Sequence, residues 1–245
     1  MAGVSVFKRS ALALAVLVCA GASQAATLRW AGANDILTLD PHAQNHQTTH
    51  AFLQQVYEPL VRYGKDFKLE PALATKWTEV SPTQWRFELR KGVKFHDGAP
   101  FTADDVVFSF KRVAGDGSDM KSYVSSIKEV RKVSDLVVEI ETLTPFPILP
   151  DVLTLVYIMN RAWCETNKAV TPVDRRKGIE NLASFKANGT GPFRVKERQP
   201  GARTVLVRNF QYWDKVDGNV DEVVFTPIGN DATRVAALMS GEVDV

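Results

Sequence analysis

The sequence has little of what many function classes require. Two cysteines in 245 residues exclude a disulfide-stapled scaffold. Lysine plus arginine number 30 against 28 acidic residues, so no charge excess is available to hold nucleic acid or an acidic membrane surface. No apolar run reaches the length of a membrane-spanning helix. There is no internal repeat and no low-complexity linker. Gly189-Thr190-Gly191 lacks the spacing of a phosphate or dinucleotide loop, and no Gly-x-Ser-x-Gly nucleophile turn occurs. What remains is 45% hydrophobic and 24% charged residues, an ordinary globular composition with enough apolar material for a sizeable core.

The N-terminus reads as an address. Lys8 and Arg9 precede an apolar run from Ala11 to Ala20, and Ser23-Gln24-Ala25 offers small residues at a cleavage site. The expected mature chain begins at Ala26. Cys19 raises a lipoprotein alternative, but Val18 stands where such signals want a small residue. Removing 1–25 takes away Lys8 and Arg9 and no acid, which leaves 28 basic against 28 acidic residues. The mature chain keeps only Cys164, so it has no intrachain disulfide in an oxidising compartment. An exported, soluble protein is expected.

Within the mature chain, Thr27–Ala31 reads as a strand and 32–49 as a loop. Ala51, Phe52, Gln55, Val56 and Leu60 have helical spacing. Trp85, Phe87 and Leu89 alternate with charges, the pattern of a half-buried strand, and Val93–Phe95 reads as a second, short one. Thr102-Ala103-Asp104-Asp105 opens the clearest helix, with Val106, Val107 and Phe110 on its apolar face and Lys111 and Arg112 suiting its last turn. Leu136–Leu143, Phe193–Lys196, Thr204–Arg208 and Asp221–Pro227 read as strands. Asp231 is expected to cap a last helix that Gly241 stops. Many strands and few helices, without regular alternation, predict a mixed α/β (α+β) fold.

Candidate chemistry is sparse. His42, His46 and His50 are spaced i, i+4, i+8, which on a continuous helix would align three imidazoles for a metal. The competing reading is a His-rich polar loop. His96 and Asp97 are neighbours on an expected strand and point to opposite faces, so they make a poor catalytic pair. Cys164 reads as an inert thiol, Asp104 and Asp105 as helix-capping acids, and Trp77, Trp85 and Trp213 as core. Without a catalytic signature or an implied cofactor, an exported soluble chain reads as a binding protein and not an enzyme.

Several segments, taken in order, are more specific. They are Leu39-Asp40-Pro41-His42, Val56-Tyr57-Glu58-Pro59-Leu60-Val61 and Pro71-Ala72-Leu73-Ala74. The run from Trp85 through Lys91-Gly92-Val93-Lys94-Phe95-His96-Asp97-Gly98 to Thr102-Ala103-Asp104-Asp105-Val106 follows. Gly189-Thr190-Gly191-Pro192-Phe193, Tyr212-Trp213 and Ser240-Gly241-Glu242-Val243-Asp244 complete the series. It resembles the family 5 extracellular solute-binding proteins, the dipeptide, oligopeptide and nickel receptors of ATP-binding-cassette importers. The resemblance implies a type II periplasmic-binding-protein-like clamp of two lobes.

By that pattern 26–57 and 182–245 form the main part of lobe one, 58–181 form an extra subdomain, and the second lobe is missing from a truncated chain. It further implies a monomer that delivers peptides to membrane permease subunits, with Asn45, His46, Gln47 and Tyr123 contacting the ligand. A receptor for nickel, a metal chelate or another small solute is the alternative, and the histidine trio is its local support. An exported metal-dependent enzyme and a nonfunctional fragment are the readings of another class.

Overall fold

A computed structural model describes residues 26–245; the expected leader over 1–25 lies outside the described residues. The elements begin with β1 (Ala26–Gly32), α1 (Gln47–Leu53), β2 (Val61–Tyr63), β3 (Leu69–Pro71), β4 (Ala74–Ser81) and β5 (Gln84–Leu89). They continue with α2 (Ala103–Val113), β6 (Ile127–Ser134), β7 (Val137–Thr142), α3 (Leu149–Val152) and α4 (Arg161–Thr166). The last are β8 (Phe193–Gln199), β9 (Arg203–Arg208), β10 (Val220–Pro227) and α5 (Asp231–Met239). The result is the mixed α/β architecture expected.

One four-stranded sheet has the order β1-β10-β9-β8, with β1 parallel to β10 and the other pairs antiparallel. Residues at the chain end extend it past β1, where Asp244 N donates to Arg29 O at 2.8 Å and Ala31 N to Val245 O at 2.7 Å. A second, antiparallel sheet runs β4-β5-β7-β6. Its register puts Trp85 opposite Ile140 and Phe87 opposite Val138 on the buried face. On the outer face Arg86 and Arg131 share the carboxylate of Glu139. β2 and β3 form a separate hairpin.

Each four-stranded sheet has its own core. Phe87, Phe101, Val106, Phe110 and Ile140 belong to the core under the β4–β7 sheet, and α2 supplies its helical wall. Phe52, Tyr57, Leu206 and Phe225 belong to the core of the β1–β10 sheet. Burial of each such side chain contributes about 1.5–3 kcal/mol. The second core also takes in Tyr157, Met159, Cys164 and Ala169. Cys164 is fully buried, and burial pushes its thiol up to about 12.

α2 follows its sequence signals closely. Thr102 accepts from Asp104 N, and Asp105 returns the bond to Thr102 N, a complete capping box. Three expectations shift. The helix expected over 51–60 begins earlier and ends at Leu53, because the carbonyls of Gln55 and Val56 are taken by Phe193 N and Gly191 N, each at 2.9 Å. Val93–Phe95 is a buried loop with one isolated bridge, Lys94 to Pro100. The cap of α5 is Asn230, whose side chain accepts from Thr233 N, and Asp231 occupies the first turn.

The Gly189–Gly191 turn presses directly on that backbone. A Cβ on Gly189 would stand 1.9 Å from Val56 O, and one on Gly191 2.6 Å from Gln55 O. Both obstacles are backbone atoms inside a buried strap, which cannot yield as a side-chain tip can. Gly189→Ala is therefore expected to destabilise the fold by about 3 kcal/mol, read as a lower urea midpoint with an unchanged slope. A midpoint within error of wild type would contradict this packing.

Candidate functional site

The candidate site is built on a polar stripe of α2. Asp105, Ser109 and Arg112 are spaced i, i+4, i+7 and share one helical face. Asp105 accepts from Arg161 N at 2.9 Å and Asn160 Nδ2 at 3.2 Å. Ser109 accepts from Met159 N at 2.8 Å and donates to Met159 O. Arg112 completes the stripe by crossing to the other core.

Its guanidinium grips Asp40 in a two-point fork, 2.7 Å from Nη1 to Oδ1 and 2.6 Å from Nη2 to Oδ2. Both side chains have zero exposure. Nε donates to Ala169 O at 3.0 Å. Burial alone would raise the Asp40 pKa, but the charge and hydrogen bonds of Arg112 outweigh it and hold the carboxylate below its usual range. Nη1 also lies 3.0 Å from His42 Nδ1, which makes Nδ1 the acceptor and leaves Nε2 to donate to Tyr157 O at 2.8 Å. Burial, with the Arg112 charge, lowers the His42 pKa to about 4. His42 O in turn accepts from Asp119 N and Ser118 Oγ.

This network fixes the chain immediately before the expected ligand residues. Asn45 and Gln47 are exposed at the head of α1. His46 is the N-cap residue of α1 and makes no side-chain cap bond. His50, one turn on, shares a hydrogen bond of 3.2 Å with Asn45 Oδ1 and stands 6.1 Å, ring to ring, from Tyr157. Burial and the neighbouring His46 ring lower the His50 pKa. Nδ1 of His46 and Nδ1 of His50 are buried and have no hydrogen-bond partner among the described residues. At the far end of α1 a pocket of about 290 Å³ is lined by Gln54, Arg62, Tyr63, Thr154, Tyr157 and Tyr212.

Glu58 anchors the pocket wall from beneath. Its buried carboxylate accepts from Thr190 Oγ1 at 2.8 Å, Tyr212 OH at 2.7 Å and Trp213 Nε1 at 2.8 Å. Burial pushes its pKa up against these three donors. These bonds make Glu58 and the Gly189–Pro192 turn architectural. His96 and Asp97 clasp the same turn. His96 Nε2 pairs with Gly191 O and Nδ1 accepts from Gly189 N, while Asp97 exchanges bonds with Asn188. They lie in a turn and not on the expected strand, and each serves the clasp separately.

The expected residues are only partly brought together. Asn45, His46 and Gln47 are consecutive, with Asn45 and Gln47 exposed and His46 half-buried between them. Tyr123 lies in the 3-10 turn Lys121–Val124, half-buried against the β4–β7 core and shortly after Ser118 and Asp119, which bond His42 O. The histidine trio does not share a face. His42 precedes the helix and has both ring nitrogens engaged inside the Arg112 network. No group of three metal-ligating side chains occurs among the described residues.

Comparison with known proteins agrees with this architecture. The family model of bacterial extracellular solute-binding proteins, family 5, matches residues 68–245. The chain belongs to this family. Among its relatives, the periplasmic oligopeptide-binding protein OppA of Salmonella typhimurium is 26% identical over 238 residues, covering 86% of this chain and 41% of the relative. The nickel-binding periplasmic protein of Escherichia coli is 29% identical, covering 84% and 38%. The structure of AgaA from A. tumefaciens R10, in complex with agropinic acid, superposes with a TM-score of 0.79 at 28% identity, covering 89% of this chain and 43% of that one. The chain thus spans about two-fifths of the length of the relatives it matches. No helix among the described residues is long and apolar enough to cross a membrane.

Reasoning from sequence missed Arg112 as the pivot, because its place near the end of α2 already had a reason in the helix dipole. The spacing of Asp105, Ser109 and Arg112 was the available signal. Tyr157 carried none.

His96, like His42, is held neutral. Burial lowers its pKa to about 4. An unfolded chain takes up these protons near pH 6.5, whereas the folded chain resists them until about pH 4. The unfolded state therefore binds more protons in that window, and both histidines make stability fall as pH drops through it. Replacing His96 with Gln is expected to flatten the dependence by about 1.4 kcal/mol per pH unit in mid-window, measured by urea melts across pH 4–7. A slope identical to wild type would show that His96 titrates normally.

Proposed function

We propose that the chain is the solute-capturing part of a non-catalytic periplasmic receptor for an ATP-binding-cassette importer, and that its solutes are peptides. The observation that carries this reading is the exposed pair Asn45 and Gln47 on a segment pinned by Arg112, at the opposite end of the short helix α1 from a pocket with polar side chains in its wall. Side-chain amides donate and accept in the pattern that a peptide backbone needs. Gln54, Thr154 and the tyrosines of the pocket extend the same uncharged chemistry. Tyr123 is assigned to the edge of this surface, where its ring supplies an apolar contact and its hydroxyl a polar one. The name of OppA supports the choice of peptides.

In this reading the ligand is completed by a second lobe that closes over Asn45 and Gln47. Contacts made to both lobes only when closed are what stabilise the closed form, and that form is the one delivered to permease subunits. We also place the division of the first lobe near residue 157. Tyr157, Met159, Cys164 and Ala169 pack with the β1–β10 core while Ile158 packs with the other, which supports a boundary at this point and not at 181.

A second reading, a receptor for a metal chelate, has one observation in its favour. His46 and His50 stand one helical turn apart, and neither Nδ1 has a hydrogen-bond partner among the described residues. The name of the nickel-binding relative is consistent with it.

Mass spectrometry of solute released by denaturing a family-length form, purified from its native periplasm, separates the readings. Peptides are expected. Release of only a metal chelate or an opine-like solute would contradict the peptide assignment. For a released peptide, the paired change Asn45→Ala and Gln47→Ala is expected to weaken binding at least about tenfold by calorimetry, the worth of two hydrogen bonds, with the melting temperature unchanged.

A further inference from the structure

Two exposed phenylalanines stand on segments that wall the pocket, and neither ring is buried; the Arg208 guanidinium lies 5.9 Å from the Phe210 ring centroid. β2 leaves the pocket at Arg62 and Tyr63, turns through Gly64–Lys68 and returns as β3. The turn closes with Gly64 N donating to Lys68 O at 2.8 Å and Phe67 N to Gly64 O at 3.0 Å. Phe67 sits at φ 59°, in the left-handed region that favours glycine, and it is 86% exposed. That conformation costs a residue with a Cβ about 1–2 kcal/mol, and an exposed ring recovers none of it by burial. A turn serving only to reverse the chain would carry glycine or asparagine here.

Phe210 is 79% exposed in the connection between β9 and β10, two residues before Tyr212 in the pocket wall. The hairpin is tied to this connection by Arg62 with Asp214 at 3.1 Å and by Lys65 with Asp217 at 3.4 Å. The two rings therefore project from adjoining, mutually braced segments.

We propose that Phe67 and Phe210 are the anchors by which this protein docks on the extracytoplasmic loops of its importer's membrane subunits. The proposal rests on the importer reading above. A protein partner fits better than a lipid surface because the three cations of the hairpin are each matched by a carboxylate. Arg62 faces Asp214, Lys65 faces Asp217, and Lys68 faces Asp66 at 2.8 Å. Stable attachment to lipid calls for an unmatched basic excess around the inserted rings. Aromatic anchors inside a charge-balanced rim are the anatomy of a protein interface. Docking here also places the partner against the segments that carry Arg62, Tyr63 and Tyr212 of the pocket wall.

The test uses the family-length protein and its membrane subunits reconstituted in nanodiscs. Affinity for the subunits is measured by interferometry, and solute affinity separately by calorimetry. Phe67→Gly is expected to weaken subunit binding at least about tenfold and to leave solute affinity unchanged. It is expected to hold or raise the melting temperature, since glycine adopts φ 59° without strain. Phe210→Ser, which relieves no backbone strain, is expected to weaken subunit binding likewise. Unchanged subunit binding in both variants overturns the proposal, as does a lowered melting temperature in Phe67→Gly, which would make the ring part of the fold. Equal wild-type binding to vesicles of phosphatidylethanolamine and phosphatidylglycerol, lost in Phe67→Gly, overturns it in favour of a lipid anchor. Wild-type protein that ignores the subunits sinks the importer reading and the proposal with it.

Discussion

The fork between Arg112 and Asp40 is the contact on which the rest of the molecule depends. Two opposite charges at zero exposure are costly to desolvate, and they repay that cost only when geometry is good and the remaining donors are satisfied. Here the fork is bidentate, Nε is occupied by Ala169 O, and His42 takes a further contact from Nη1. Three chain segments distant in sequence therefore have one arrangement in which no buried charge is orphaned. Those segments are α2, the loop leading to Asn45, and the stretch from Tyr157 to Ala169. Losing either partner would strand the other, a penalty of about 3–5 kcal/mol.

A second clasp acts where the first does not reach. The carboxylate of Glu58 gathers Thr190, Tyr212 and Trp213, while His96 and Asp97 hold the glycine turn from the opposite side. Both clasps join the two cores through buried polar groups and not through a continuous apolar interface. A polar joint of this kind specifies one relative placement, because sliding it would break several directional bonds at once. The surface carrying Asn45, Gln47 and the pocket lies between the clasps. Its shape is thus set largely by buried residues behind it, with Glu58 and Tyr212 reaching the pocket wall itself.

Much of this was legible in the chain. The capping box at Thr102 and Asp105 and the alternation of Trp85, Phe87 and Leu89 each declare a local structure, and the structure keeps both. The family pattern supplied the architecture. Less legible were features whose cause is tertiary. Helical spacing over 51–60 lost to hydrogen bonds from Gly191 and Phe193, which no local window contains. β4 and β6 are edge strands with largely exposed faces, so they show little apolar alternation. Arg112 had a sufficient local explanation that concealed its larger one. At the candidate site, Asn45 and Gln47 are proposed from position and the structure shows only that they are exposed, whereas the contact between His50 and Tyr157 joins residues more than a hundred positions apart.

The claim that one buried pair governs both α2 and the site loop can be tested by hydrogen exchange on Arg112→Met, compared with wild type. The account predicts that amides in α2 and in residues 40–50 lose protection together, while β8, β9 and β10 keep theirs. Loss confined to α2, with 40–50 protected as in wild type, would show that the site loop is held independently and would contradict the account.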